Sequence, residues 1–566
     1  MAMKLFNEDN IPFIKRVSDF INEKNIAKIL FISSFILYFI SLFIYYFENV
    51  LRYDEVFTLQ LVKSSIPNII YLTSLDVHPP LYYLIVKFFI LLGHSLHFPF
   101  NDIYLSRLIS SFPFLILMIF SWKYLRKDIG VLSAGLFSFC IMSMPHFIHY
   151  LAELRMYSYC LLFSTLVFYM AYRITNDGSW KNYALLILFT LLGLYTQYFC
   201  GIVASTIYLI LLLVISLNND IDKVKKLFIS GIICIFVYLG TWGIYLFHQV
   251  KVISSDYWIA PFNSEALINT IIYFLNPLKL SESSVDLITP EEYGWLSLIQ
   301  EIFNWETVIF LVLLTIVFGI IIKYTFKNGI SFNILKDRIV KVNFLTFGAL
   351  IILIEIIVGI ILSECLGKPI IHIRYLFMSI GLFWLTICIV IGKTYHKSKP
   401  LFGICMILMV IGGGLSAYDG LTLSVINQRY TLDVDNVLNL IDSNDLIVSN
   451  FEMYSYSKIF RPHLDNYFIY EGSLVQNAFL NIMWNQLDMD MLLGDELERV
   501  TNTLNSGHKV WIFGSQDKIN MEFYYIRNGK NYGFLDNYYA KSYRMSFVSN
   551  TKFQIRNIIE ISPTPI

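Results

Sequence analysis

Apolar runs of about the length that one helical bilayer crossing needs recur along most of this sequence, so lipid must be the main solvent of the chain. They lie at 27–48, 104–122, 130–150, 156–172, 181–199, 202–217, 227–247, 307–323, 343–363, 374–392 and 400–417, about eleven crossings in all. Hydrocarbon offers no partner for a bare peptide group, so each run is expected to be a helix. The composition agrees, with 56% hydrophobic and only 15% charged residues, too greasy a balance for a water-soluble chain of 566 residues. Lys plus Arg equals Asp plus Glu, at 42 each, so the global charge points to no nucleic-acid partner. The seven cysteines are scattered and form no CxxC pair, which argues against both a disulfide framework and a zinc site.

Where the charges sit sets the expected topology. Lys4, Lys15, Arg16, Lys24 and Lys28 precede or open the first run, which has no small-residue cleavage site and reads as an uncleaved anchor with a cytoplasmic N-terminus. Just before it, Ile11, Ile14, Val17 and Ile21 share a stripe opposite Lys15, Arg16 and Asp19, the pattern of a helix lying in the headgroup layer within a cytoplasmic segment 1–26. Leu81 to Leu96 is a further apolar run, but it is short and carries Lys87 and His94. If it does not cross, the basic connectors after the second, fourth, sixth, eighth and tenth crossings all fall inside; if it crosses, all fall outside. The segment 81–96 is therefore read as a helix half-embedded on the outer face, within a long external loop 49–103. The same parity places 151–155, 248–306, 364–373 and the tail 418–566 outside, for a multi-pass plasma-membrane protein.

That tail is a different object. Val434 to Ile441 and Glu496 to Leu504 have helical patterns, while Asp445 to Ser449, Tyr467 to Tyr470 and Lys509 to Phe513 read as strands. Alternating helix and strand predicts a small extracytoplasmic α/β domain. The expected fold is thus mainly α, a transmembrane helix bundle over 27–417 followed by that domain at 418–566.

The residues able to carry chemistry gather in the external loops. Asp54 and Glu55 follow the first crossing, where partial desolvation raises carboxylate basicity and a nearby cation keeps it ionised. Adjacent carboxylates after a membrane helix are also common in solvated loops, and spacing alone leaves both readings open. Asp76 and His78 stand before Pro79 and Pro80, which fix the start of the half-embedded helix. A simple helix cap explains them equally well. Glu153 and Arg155 occupy a very short loop, where ionisable groups usually pair. Lys368, His372 and Arg374 are cations on the outer side, against the positive-inside trend; an anion such as a lipid-carrier phosphate explains them, and so do acidic headgroups. Tyr257 and Trp258 suit either sugar stacking or an interfacial aromatic belt, and Gln197 either a ligand or a core polar residue.

Taken in order, these elements resemble the GT-C glycosyltransferases of the protein O-mannosyltransferase and lipid A aminoarabinose transferase type. The matching pieces are Tyr53-Asp54-Glu55, the stretch from Asp76 through Pro79 and Pro80 to Tyr83, Ser106-Arg107, the stretch from Glu153 through Arg155 to Tyr157, Tyr257-Trp258, and Arg374-Tyr375. The resemblance covers about 27–417. It implies inverting transfer of a sugar from a polyprenyl-phosphate donor to an extracytoplasmic acceptor, with Asp54 at the position of the catalytic carboxylate and Glu55 as its partner. It also implies that Lys368, His372 and Arg374, with Arg155 as a further candidate, hold the carrier phosphate, and that Asp76, His78, Glu153, Gln197, Tyr257 and Trp258 line the substrate site. Glu153 and Arg155 stand where metal-dependent relatives carry an Asp-x-Asp element, so no cofactor is required and a divalent metal is not implied. Polyprenyl-phosphate sugar, acceptor and membrane lipids are the expected partners.

Two other readings compete. A polysaccharide polymerase or ligase shares lipid-linked substrates. A lipid-linked sugar flippase shares the many helices, but should carry charges near the bilayer midplane, whereas the ionisable residues here read as clustered at one face.

Overall fold

The computed structural model describes residues 22–46, 51, 53–76, 78–253, 305–326, 339, 342–366, 373–449, 464–469, 491–492, 496–514, 539–544 and 557–563. Helices dominate up to residue 438. Among the described residues seven of them are long and apolar enough to cross a membrane: Glu23–Tyr46 (α1), Asp102–Ile129, Phe199–Leu217, Ile221–Phe247, Phe344–Cys365, Arg374–Thr394 and Lys399–Thr422. This is an integral membrane protein. The other four apolar runs form helices that are shorter or more polar. The run at 130–150 is broken: Val131–Ser143 ends before Pro145, His146 takes a left-handed φ of 70°, and a one-turn helix Phe147–Leu151 follows. Proline restrains the residue before it to extended backbone, and Met144 is extended at ψ 164°, so the interruption is local chemistry.

The side chains of α1 identify its solvent. Ala27, Leu30, Ser34, Tyr38 and Ser41 are buried, while Ile29, Ile32, Ile36, Phe39 and Phe43 are exposed. Small and polar residues face protein and large apolar ones face out, the reverse of a helix in water. Tyr38 is hydrogen-bonded to Ser111 at 2.7 Å, and the backbone at Ala27 lies directly against Gly135.

Contacts divide the chain into two units, one of 1–43, 110–152 and 156–421, the other of 44–109, 153–155 and 422–566. The first unit is organised around the helix Phe377–Thr394, which packs against Val131–Ser143, Tyr157–Asn176 and Gly348–Leu366. Its membrane window is 94% buried against 33% for α1, so it is apolar on every side because protein surrounds it on every side. Glycines permit the close approach: a side chain at Gly392 would strike Ser133, and one at Gly348 would strike the Leu382 carbonyl.

The second unit holds three short helices after α1: α2 (Tyr53–Lys63), α3 (Ile66–Leu75) and α4 (Leu81–Ser95). The 15 residues of α4 reach roughly 22 Å, short of a bilayer core. Leu51, Val56, Leu59, Ile103 and Leu154 form a small core that fixes α2 to the segment at 154. The same unit carries a six-stranded sheet of order β3-β2-β1-β4-β6-β5, made of Leu446–Ser449 (β1), Asp465–Ile469 (β2), Met491–Leu492 (β3), Val510–Gly514 (β4), Tyr539–Arg544 (β5) and Asn557–Ser562 (β6). β1 runs parallel to β2 and β4, and β6 runs antiparallel to β4 and β5. The three segments read as strands from the sequence overlap β1, β2 and β4. Leu446 to Val448 and Val510 to Phe513 are buried throughout, as a strand covered on both faces requires. The buried Asp445 carboxylate accepts the Lys509 backbone N–H and the Trp511 indole N–H, both at 2.9 Å.

Candidate active site

The first turn of α2 carries Asp54 and Glu55, where the unpaired N–H groups of a helix start favour negative charge. Glu55 is buried, and its Oε1 accepts the Leu154 N–H at 3.1 Å. One turn on, the Thr58 hydroxyl reaches the Leu154 carbonyl at 2.9 Å and the Asp54 carbonyl at the same distance. Both backbone polar groups of Leu154 are thus tied to α2. A tight turn, in which the Arg155 N–H donates to the Glu153 carbonyl at 2.8 Å, then aims the Arg155 side chain.

Arg155 is the hub of the cluster. Its Nε lies 3.8 Å from Asp54 Oδ2, one terminal nitrogen donates to the Tyr83 hydroxyl at 3.1 Å, and the other lies 3.5 Å from His78 Nε2. His78 Nδ1 in turn meets Asp76 Oδ2 at 3.0 Å. A guanidinium only donates, so His78 Nε2 is the acceptor and the ring proton sits on Nδ1, directed at Asp76. Asp76 caps the C-terminus of α3, and Pro80 precedes the first residue of α4, so Asp76 and His78 to Pro80 stand between the two helices. Tyr83 follows in the first turn of α4 with its ring 6.3 Å from that of Phe57. Burial pushes the Tyr83 phenol well above its ordinary range, Arg155 partly opposing, so it is a neutral hydroxyl. Glu153 is buried in the same unit. Asp54 keeps 22% side-chain exposure beside an Arg155 with 4%. The carboxylate that can meet a solute is therefore held beside a guanidinium that cannot move freely.

Arg374 and Gln197 belong to the first unit. Arg374 is buried in the 3₁₀ turn Ile373–Leu376, its guanidinium 3.5 Å from the Tyr157 hydroxyl. Gln197 is buried, and its side-chain carbonyl accepts the Tyr198 N–H at 2.6 Å at the start of the helix Phe199–Leu217. Lys368, His372, Tyr257, Trp258 and the amphipathic segment 11–21 lie outside the described residues. Among the described residues no group of three or more His, Cys, Asp or Glu gathers as a metal would need.

Two features were not singled out from the sequence. Tyr83 was read as part of a motif and given no role; its place in the first turn after the paired prolines is the signal that it shares a face with His78. Glu355 sits fully buried in the helix Gly348–Leu366, accepting a bond from the Ser379 hydroxyl, with no described partner for its Oε1. It corrects the reading that ionisable residues occupy one membrane face only. An acid inside an apolar run was visible in the sequence and marks a site that protein must cover.

A helical membrane bundle with short helices after its first long helix, and a mixed sheet near the C-terminus, describe the architecture, and its fold is shared with a solved structure. The crystal structure of ArnT, the lipid A aminoarabinose transferase, from Cupriavidus metallidurans in the apo state is similar at TM-score 0.53 and 11% identity, with 94% of this chain and 97% of that chain covered. The structure of the same protein bound to undecaprenyl phosphate is similar at TM-score 0.40 and 9% identity over the same shares. No family model and no curated protein matches the sequence.

Proposed function

We propose that this chain is an inverting glycosyltransferase that moves a sugar from a polyprenyl-phosphate carrier to an acceptor outside the cytoplasm. The observation that carries the proposal is Asp54, partly open to solutes, beside an Arg155 that Tyr83 and His78 hold in place. The fold shared with ArnT and the ordered motifs support the same class. The acceptor oxygen attacks the anomeric carbon, the bond from that carbon to the carrier phosphate breaks, and Asp54 takes the acceptor proton. The leaving group is the polyprenyl phosphate, whose growing negative charge Arg374, Lys368 and His372 stabilise. Arg155 orients Asp54, and Glu55 anchors the segment that carries Arg155. Purified protein incubated with a panel of polyprenyl-phosphate sugars should release carrier phosphate, and Asp54→Asn should stop the release. Release at the normal rate by that variant would overturn the assignment.

The proposal includes a topology, with the N-terminus cytoplasmic and the loops at 49–103 and 248–306 and the tail 418–566 outside. In a variant lacking native cysteines, Val285→Cys and Lys530→Cys should react with a membrane-impermeant thiol reagent in intact cells, and Val224→Cys should not. Labelling of Val224→Cys alone would invert every loop. Glu355 favours a second reading, a lipid-linked sugar flippase, because a buried acid within a membrane helix is a feature of transporters. A vesicle assay separates the two: a flippase changes the leaflet of the lipid-linked sugar without cleaving it.

A further inference from the structure

The C-terminal end of α2 opens on a cleft of about 540 Å³ that uses none of the residues of the proposed transfer. Leu59 and Leu91 form part of its wall, and Lys63, Lys87, His94 and Asp102 bring charge to it. Lys87 Nζ lies 3.3 Å from the Lys63 carbonyl, a cation closing the last turn of a helix. Asp102 is engaged by His94 Nε2 at 2.7 Å. One carboxylate thus shares the cleft with two lysines and a histidine, and the cleft carries net positive charge. Much of the Lys63 residue is accessible, yet its ammonium is crowded by protein; this desolvation lowers its pKa, and the field of Asp102 only partly restores it. An anion in the cleft would supply what Asp102 does not.

The surroundings identify the anion. The helix α4, which contributes Lys87, Leu91 and His94, is too short to cross a bilayer and leaves Phe88 at 59% and Leu92 at 37% exposure, with Leu96 just beyond it at 55%. A helix with an apolar outer face and cations toward a cleft lies at a membrane surface with its apolar face among acyl chains. We infer that the cleft binds an acidic phospholipid, its phosphodiester headgroup between Lys63 and Lys87 and its chains along the outer face of α4. Basic pockets beside membrane helices recognise acidic headgroups by the same combination of point charge and apolar wall.

Detergent-solubilised full-length protein should be titrated with phosphatidylglycerol, with phosphatidylcholine and with inorganic phosphate, binding being followed by native mass spectrometry and by thermal stabilisation. Phosphatidylglycerol should bind at least tenfold more tightly than phosphatidylcholine, and inorganic phosphate should neither stabilise the protein nor displace it. The double variant Lys63→Gln/Lys87→Gln should lose that preference, and Lys63→Arg/Lys87→Arg should keep it. Equal binding of the two lipids by the unaltered protein would overturn the inference even if the glutamine variant failed to fold. Competition by inorganic phosphate would turn the cleft into a free-anion site, and an undiminished preference in a folded glutamine variant would place the lipid elsewhere. Because lipid binding is read without turnover, its failure is distinguishable from failure of the transferase reading.

Discussion

One helix of 11 residues, α2, carries two different kinds of charged site at its two ends. At its start Asp54 and Glu55 stand in a cluster closed by Arg155, Tyr83, His78 and Asp76, and each of these contacts of Arg155 engages a different nitrogen of its guanidinium. At its finish Lys63 overlooks a cleft in which cations outnumber the single carboxylate. The helix dipole favours this order, acids first and lysine last, so local electrostatics alone accounts for the signs. What separates the ends is closure. A charge whose neighbours are already arranged suits a step that needs fixed geometry, whereas a surplus charge over an open cleft suits a ligand that exchanges.

The comparison breaks most readily at Asp54. Asp54→Asn keeps the shape of the side chain but accepts no proton, so turnover should fall about 100-fold to 10,000-fold, while donor binding and folding survive. Glu55→Gln should lose far less, because the amide oxygen can still accept the Leu154 N–H. If the losses were reversed, the roles of the two acids would be exchanged. A smaller loss, roughly 10-fold to 100-fold in kcat, is expected for Arg155→Lys, which keeps the charge but not the fork that reaches Asp54, Tyr83 and His78 together. Donor affinity measured on the same variant sharpens the point: an unchanged affinity fits a positioning residue, and a tenfold weaker one would make Arg155 a ligand of the carrier phosphate.

Much of this was legible because lipid imposes simple rules. The apolar runs announced the helices, and the shortness of the run at 81–96 matches the 15 residues of α4. The break at Pro145 was also written in the sequence, but a run of apolar residues on both sides concealed it. In the site, the motifs named Asp54, His78 and Arg155 without saying that Arg155 would be the meeting point. That depends on both backbone polar groups of Leu154 being tied to α2, a long-range contact with no local periodicity. Gln197 suited either a ligand or a core polar residue, and the bond its oxygen accepts from the Tyr198 N–H could not be read from the sequence. The Lys63 cleft was invisible because Lys63, Lys87, His94 and Asp102 are spread over three helices and match no motif.

The smallest expected effect tests whether the closed end of α2 is closed by geometry or by charge. Tyr83→Phe removes only the hydroxyl that receives an Arg155 N–H, and one such bond contributes about 1 kcal/mol, or roughly fivefold in rate if all of it is used to orient Arg155. Burial raises the Tyr83 pKa, so the phenol remains neutral throughout any ordinary assay range and neither gains nor loses a proton there. The variant should therefore lower kcat about fivefold at every pH and leave the shape of the pH–rate profile unchanged. A shifted limb in that profile would mean that Tyr83 acts on the ionisation of Asp54 or His78 through Arg155. In that event the cluster would be tuning a proton affinity as well as holding a carboxylate, and the contrast with the open lysine end would be one of charge regulation more than of closure.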